Sequence, residues 1–265
     1  MTGSAHIKQP TPKKAGNDKV VVVMPAYNAA QTLIDTYQRI PSEYVDLVIL
    51  VDDGSIDETA AVARELELEL IVHPHNAGYG ANQKTCYMEA LRRGADVIIM
   101  LHPDGQYDPI IIPQMIAAIQ NGQGEFVIGS RFLPAQKALD GGMPRYKYVA
   151  NRFLTAAENF VMNTNLSECH TGYRGYSRKL LETVPFLRNS NDFVFDTQMI
   201  FQSAHFQFKF AEVPVSTKYF NEASSISFRA SLKYGLSTLW VATRYLLHRL
   251  GLLHYDLLEP THRKP

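Results

Sequence analysis

The run Met100-Leu101-His102-Pro103-Asp104-Gly105-Gln106-Tyr107-Asp108-Pro109 decides how the rest of the chain is read. It continues an apolar stretch, Val97 to Leu101, that is too short for a helix and bounded by turn residues; this predicts a buried strand that delivers polar groups at its carboxyl end. In an open α/β sheet, ligands bind at that edge. His102, Asp104 and Gln106 alternate with Pro103 and Gly105, so in an extended segment the three polar side chains share one face. An imidazole, a carboxylate and an amide on one face suit a divalent cation or a sugar. The competing reading is that Asp104-Gly105 and Asp108-Pro109 are turn punctuation.

Working outward, the same strand-to-polar-turn unit recurs. Val20 to Met24 is a β-branched run closed by Pro25, the pattern of a strand covered on both faces. It leads through Pro25-Ala26-Tyr27-Asn28 into a helical period that stops before Pro41. Leu47 to Val51 runs into Asp52-Asp53-Gly54-Ser55, where Ser55 and Glu58 have capping-box spacing and predict a helix directly after the acidic pair. Leu68 to Val72 is followed by His73 to Gly80 and by a helix ending near Arg92-Arg93-Gly94. Gly78-x-Gly80 is only a fragment of a dinucleotide loop. Pro113 to Gln120 reads as a helix and Phe126 to Gly129 as a strand. Such alternation predicts a mainly parallel sheet with right-handed crossovers.

Beyond Arg131 the alternation stops. Pro134 to Pro144 is a polar, Gly-rich loop, and Tyr148 to Met162 has a helical period. Glu168-Cys169-His170-Thr171-Gly172-Tyr173-Arg174 is a polar knot between apolar elements, followed by Phe193-Val194-Phe195-Asp196. Val213 to Lys218 reads as a late strand, and Asn221 to Ser225 as a loop over the site. Phe228 to Leu253 is helical in composition, with Gly235 and Gly251 as candidate breaks. Arg229, Lys233, Arg244 and His248 fall on one side, and Leu232, Leu236, Leu239, Leu246 and Leu250 on another. That pattern fits a helix lying in a lipid interface, or one packing its leucines on the domain or on a second subunit in a homo-oligomer.

A chain of 265 residues is long enough for a substantial core, and one large domain is favoured over two small ones. Lys plus Arg equals Asp plus Glu at 26 each, so no global field draws it to nucleic acid. The two cysteines, Cys86 and Cys169, are too few for a disulfide framework and fit a reducing compartment, each as a small buried residue. Met1 to Lys19 lacks the apolar core of a signal peptide and is expected to be disordered. No apolar run approaches the roughly 20 residues needed to span a bilayer.

Taken together, Pro25-Ala26-Tyr27-Asn28, Val51-Asp52-Asp53-Gly54-Ser55, Asp104-Gly105-Gln106-Tyr107-Asp108-Pro109, Gly129-Ser130-Arg131 and Thr171-Gly172-Tyr173-Arg174 resemble glycosyltransferase family 2, and within it the dolichol- and polyprenyl-phosphate sugar synthases. The resemblance covers about residues 20 to 225. It implies a GT-A fold, with a Rossmann-like, mainly parallel sheet flanked by helices over 20–225 and amphipathic helices over 226–265. It further implies a nucleotide-sugar donor (UDP- or GDP-sugar), Mg²⁺ or Mn²⁺, and inversion at the anomeric carbon. Pro25, Ala26, Tyr27 and Asn28 would line the nucleotide pocket, with Gly78, Lys84 and His102 alongside, and Asp52 or Asp53 accepting hydrogen bonds from base or ribose. Asp104 would ligate the metal with Gln106 and His102 beside it. Arg131 and Arg145 match positions that contact an acceptor phosphate; Arg174 is either a third such contact or a brace for the preceding turn. Glu168 would serve as base toward a hydroxyl acceptor.

The sequence departs from the family at His102, where an aspartate is usual, at Ala29, and over Lys218-Tyr219-Phe220 and Ser224-Ser225-Ile226. The expectation is a glycosyltransferase acting on a lipid-linked phosphate at the cytoplasmic face of a membrane. A hydroxyl acceptor and a non-catalytic sugar-nucleotide-binding protein are the alternatives. A nucleotidyltransferase is disfavoured because no Gly-rich, Lys/Arg-bearing loop follows the first strand.

Overall fold

A computed structural model describes residues 17–133, 142–217 and 228–260, with backbone alone for 228–230. Most of the amino-terminal tail and of the 134–144 loop, and all of 218–227 with the loop expected at Asn221 to Ser225, lie outside the described residues. Seven strands form one sheet: β1 (Val20–Ala26), β2 (Leu47–Asp52), β3 (Glu69–Val72), β4 (Val97–Met100), β5 (Phe126–Ser130), β6 (Arg174–Ser177) and β7 (Phe210–Pro214). Their spatial order is β3-β2-β1-β4-β6-β5-β7. All neighbours are parallel except β6, which runs antiparallel to both β4 and β5. The fold is therefore the mixed α/β sheet expected. What the sequence pattern did not disclose is β6, inserted between β4 and β5.

The apolar runs are continuous because both sheet faces are covered. Val21, Val23, Ile98 and Met100 turn toward α3 (Tyr79–Arg92) and α7 (Phe195–His205), through Cys86, Tyr87, Phe195 and Met199. Val20, Val22, Met24 and Ile99 turn to the opposite face, against α1 (Ala30–Gln38), α2 (Thr59–Glu65) and α4 (Ile112–Gln120), through Leu33, Ala63, Met115 and Ile116. Pro25, which has no N–H to donate, is tolerated inside β1 because it pairs only with Val51 of β2; pairing with β4 stops at Val23.

Local signals set several boundaries, and tertiary contacts moved others. The expected capping box at Ser55 and Glu58 does not form: α2 starts at Thr59 and Glu58 makes no side-chain cap. The Ser55 hydroxyl is instead bonded to Asp52, and Asp57 accepts the Thr59 N–H at 3.0 Å. The late strand falls at Phe210–Pro214, earlier than the pattern suggested. Cys86 and Cys169 are free and buried, as expected, and burial pushes both thiols well above their usual range.

The long α5 (Arg145–Met162) packs on α8 (Phe228–Arg249), which passes Gly235 without a break and ends just short of Gly251. The side of α8 turned to the domain is Thr238, Val241, Ala242 and Tyr245, with Tyr245 against Phe201 at 4.9 Å. The leucine stripe is not that face: Leu232, Leu236, Leu246 and Leu250 are exposed, as is Trp240 at 63%. Of the basic stripe, the Arg229 side chain lies outside the described residues, and the other three are engaged within the chain. Lys233 pairs with Asp192, Arg244 lies over the Tyr255 ring at 4.3 Å, and His248 Nδ1 accepts the Tyr255 N–H. No helix among the described residues is long and apolar enough to cross a membrane.

Gly80, in the first turn of α3, approaches the 189–191 loop so closely that an added Cβ would stand 2.3 Å from the Ser190 carbonyl oxygen. Alanine improves helix propensity by about 1 kcal/mol, but the obstacle is backbone that cannot swing aside. Gly80→Ala is therefore expected to lower the unfolding free energy by about 1–3 kcal/mol, measured by denaturant titration. An unchanged or raised midpoint would show that the loop gives way.

Candidate active site

The parallel strands bring the turns after β1, β2, β3, β4 and β5 to one edge of the sheet, and the antiparallel sense of β6 carries its preceding turn, 168–173, to the same edge. The expected motifs converge there for that reason. The turns are also stitched to each other. Asn28, at φ +52, accepts the Ile56 N–H on its Oδ1 at 2.9 Å, and its own N–H donates to the Ser55 hydroxyl. The amide of Ala29 donates to Thr59, and that of Ala30 to Asp57. Burial works against ionisation of Asp57, but bonds from the Thr59 hydroxyl and from the Ala30 and Thr59 amides outweigh it and hold the carboxyl below its usual range. Pro25 and Ala26 are buried beneath this platform, and Tyr27 stands half exposed above it.

The two acidic residues after β2 separate in role. Both oxygens of Asp53 are committed: Oδ1 to the His73 imidazole at 2.7 Å and the Ala77 N–H, Oδ2 to the Gly78 N–H at 3.0 Å. Asp53 therefore organises the turn after β3, and the Gly78 amide is not left for a phosphate. Asp52 uses Oδ1 on Ser55, while its Oδ2 has no hydrogen bond among the described residues. Lys84 also differs from expectation. Its ammonium donates to the Asn189 carbonyl and to Asn191 Oδ1 at 2.7 Å, and burial holds its pKa below the usual lysine value.

The segment after β4 is not extended. Pro103–Gly105 turns, Gly105 sits at φ +71, and Asp104 Oδ1 accepts the Gln106 N–H at 3.0 Å. The alternation of His102, Asp104 and Gln106 is thus not a shared strand face; it is a turn closed by Asp104 itself. Thr32 of α1 donates to the Pro103 carbonyl, and buried Tyr107 takes the Gly172 N–H on its hydroxyl at 3.1 Å. The His102 ring stacks beside Tyr79, its Nε2 3.2 Å from the Tyr79 hydroxyl.

Arg131 and Glu168 form one unit. Glu168 is fully buried and accepts from the Arg131 backbone N–H and Nε, both at 2.8 Å, from Nη2, and from Asn151 Nδ2 at 3.1 Å. With its lone pairs so engaged, Glu168 anchors Arg131 and is not poised as a base. Arg174, an expected phosphate contact, is fully buried. Its guanidinium donates to the carbonyls of Thr171, Asp196 and Cys169 at 2.9, 2.9 and 3.1 Å. Burial alone would lower its pKa, but Asp196 beside it drives it upward, so the charge is retained. Arg174 is the brace of the turn and has no surface to offer an acceptor. Arg145 is exposed at the start of α5.

The donor set bears on a metal. Among the described residues no three His, Cys, Asp or Glu side chains group as a metal site. The segment after β4 carries one carboxylate (Asp104), one amide (Gln106) and one imidazole (His102). Such a partial set fits a hard cation that takes one or two protein ligands and completes its shell with substrate phosphates and water. A separate cavity of about 1070 Å³, lined by Arg188, Gln198, Trp240, Arg244 and Tyr255, contains none of these residues.

Residues 21–184 match the family described as glycosyl transferase family 2. The chain is 26% identical over 206 residues to polyprenol monophosphomannose synthase of Mycolicibacterium smegmatis, covering 75% of this chain and 77% of that one. It is 26% identical over 220 residues to the UDP-N-acetylglucosamine–dolichyl-phosphate N-acetylglucosaminyltransferase of Methanococcus voltae, covering 76% and 87%. In fold it is similar to glucosyl-3-phosphoglycerate synthase from Mycobacterium tuberculosis, solved with UDP, at a TM-score of 0.66 and 18% identity over 90% of this chain and 82% of that one.

Sequence reading missed Tyr79, Asp196 and Asn151 as parts of the site; each acts on a residue distant in sequence, and no local motif marks it. Replacing Arg174 by Met should leave Asp196 as a buried, uncompensated charge. Arg174→Met is expected to cost about 3–5 kcal/mol of stability, read from chemical denaturation. A loss below about 1 kcal/mol would sink the bracing role.

Proposed function

From the chain's membership of glycosyl transferase family 2, established by the match over residues 21–184, we propose that this glycosyltransferase moves a sugar from a nucleoside-diphosphate donor to a polyprenyl phosphate, with Mg²⁺ or Mn²⁺. The observation that carries the reading is the convergence of the Asp104 turn and the anchored Arg131 at one sheet edge. A cation held with the donor diphosphate supplies charge neutralisation for the departing nucleotide. Asp104, with Gln106 and His102, is the part of the cleft that would hold it. Tyr27 offers a face for the base, and the open Oδ2 of Asp52 an acceptor for base or ribose donors. Pro25, Ala26 and Asn28 shape that floor.

Arg131 is the residue assigned to the acceptor phosphate. Glu168 fixes its Nε and Nη2, which sets the plane of the guanidinium. A phosphate nucleophile is already ionised and needs no base, which agrees with the engagement of Glu168; a hydroxyl acceptor would lack that base.

The acceptor's headgroup stays at the bilayer surface, and the exposed apolar residues of α5 and α8 suit that place. Val149, Phe153 and Phe160 on α5 and Leu232, Leu236 and Trp240 on α8 are exposed. This reading rests on apolar area, since Lys233, Arg244 and His248 are engaged elsewhere.

Asp104→Asn is expected to lower turnover at least about 100-fold, the scale of losing one group that stabilises transition-state charge, and a chelator should do the same to the parent enzyme. Transfer that survives chelation would remove the metal from the scheme. Arg131→Ala should reduce transfer to polyprenyl phosphate more than it reduces donor binding; equal losses would place Arg131 on the donor side. Flotation with phospholipid vesicles should carry the full chain, and a Leu236→Glu, Trp240→Glu variant should stay behind. Indifference to vesicles, with efficient transfer to a water-soluble hydroxyl, would favour a hydroxyl acceptor.

A further inference from the structure

His102 sits where the family usually has a carboxylate, and its imidazole can ligate only through a nitrogen that carries no proton. Which nitrogen is free is set by the bond the other one makes. The chain of contacts behind His102 decides this. Asp196 forms an ion pair with buried Arg174, its Oδ1 3.6 Å from Nη1. Gln83, fully buried, donates to the same Oδ1 at 3.1 Å, with its own carbonyl occupied by the Tyr87 hydroxyl. An ionised carboxylate only accepts, so the 2.8 Å contact between Tyr79 and Asp196 Oδ2 must carry the phenolic proton toward Asp196. Burial and the Asp196 charge both keep that phenol protonated.

The Tyr79 oxygen, its one proton spent on Asp196, faces His102 Nε2 as an acceptor at 3.2 Å. A neutral imidazole satisfies that contact with its proton on Nε2, which leaves the lone pair on Nδ1. That Nδ1 has no hydrogen-bond partner among the described residues and is not enclosed as a buried orphan. The ring position is built as well as bonded. Gly172 lies against it, and a Cβ there would meet Cδ2 and Nε2 at 2.9 Å. Tyr79 is itself backed by the Phe193 ring at 4.7 Å.

We propose that Tyr79, polarised by Asp196, is a positioning residue that fixes His102 as its Nε2-protonated tautomer and so presents Nδ1 as a ligand for the cation held with the donor diphosphate. This rests on the metal-dependent reading above. The Asp196–Tyr79–His102 chain does for an imidazole what a carboxylate partner does behind many metal-bound histidines: it sets tautomer and ring orientation, and makes the free nitrogen a better donor. It also gives a reason for histidine at this position in a chain whose buried Asp196 is already committed to Arg174.

Two measurements test it on the full chain. The first needs no substitution: long-range ¹H–¹⁵N correlation of histidine-labelled protein, without metal and at a pH of about 8 where imidazole is neutral. His102 is expected as a single species protonated on Nε2; protonation on Nδ1 would overturn the proposal. The second is Mn²⁺ binding followed by calorimetry in the presence of UDP, and again of GDP. Tyr79→Phe is expected to weaken Mn²⁺ binding about 10- to 100-fold, with nucleotide binding in the absence of metal unchanged. His102→Ala should weaken it at least as much, and the double variant no more than His102→Ala alone. If His102→Ala weakens the metal and Tyr79→Phe does not, the positioning role is wrong while the metal reading stands. If Asp104→Asn and His102→Ala both leave Mn²⁺ binding intact, the metal reading itself falls.

Discussion

One buried guanidinium underlies the arrangement of the cleft. Arg174 opens β6 opposite Met100 on one side and Ile128 on the other, where no water can solvate it. A charge so placed must be paired and fully hydrogen-bonded. It meets that demand by gathering three backbone carbonyls and the Asp196 carboxylate. The turn 169–171 therefore curls back over its own strand, and α7 is held by its first turn.

Both halves of the site inherit their positions from that brace. On one side, Cys169 and Thr171 are fixed by Arg174, so Glu168 is held where it can grip Arg131, and the His170 carbonyl takes a further bond from Arg131 at 3.3 Å. On the other, Asp196 reaches Tyr79 and through it His102. The same turn connects to α8. His170 Nδ1 meets the Tyr234 hydroxyl at 2.8 Å, and Nε2 lies 3.0 Å from buried Glu158 of α5. The Arg131 turn is thus hydrogen-bonded to α8 through Tyr234, while Glu158 of α5 stands close to His170 without a hydrogen bond.

Charge placement also explains why composition said so little about the ligand. The balanced chain has no net field, and its described cations are largely engaged: Arg174 with carbonyls, Lys84 with a loop, Lys233 with Asp192, Arg244 with an aromatic ring. Arg131 is engaged too, by a carboxylate. Its partner Glu168 is fully buried, while its own side chain keeps about a tenth of its surface. The orientation of its guanidinium is set within the fold, by Glu168 and the His170 carbonyl.

What the sequence by itself determined was whatever depends on neighbours in the chain. The β-branched runs had to be strands covered on both faces, the Arg92-Arg93-Gly94 end of α3 was legible, and the turns after parallel strands had to fall at one edge, with Tyr27, Asp52, Asp104 and Arg131 along it. The tertiary structure decided whatever depends on partners far along the chain. Asp52 and Asp53 are adjacent and identical, yet only Asp53 finds His73 and the amides of Ala77 and Gly78. Ser55 and Glu58 have the spacing of a cap, but Asp52 and Asn28 claim the serine. Arg174 reads as a phosphate ligand or as a brace, and the insertion of β6 between β4 and β5, which buries it, decides for the brace. The leucines of α8 look like its inner face until α5 and α7 select Thr238, Val241, Ala242 and Tyr245 instead. Periodicity reports which residues share a side, but the side that is buried is chosen by the surfaces it meets, and those are assembled only when the chain folds.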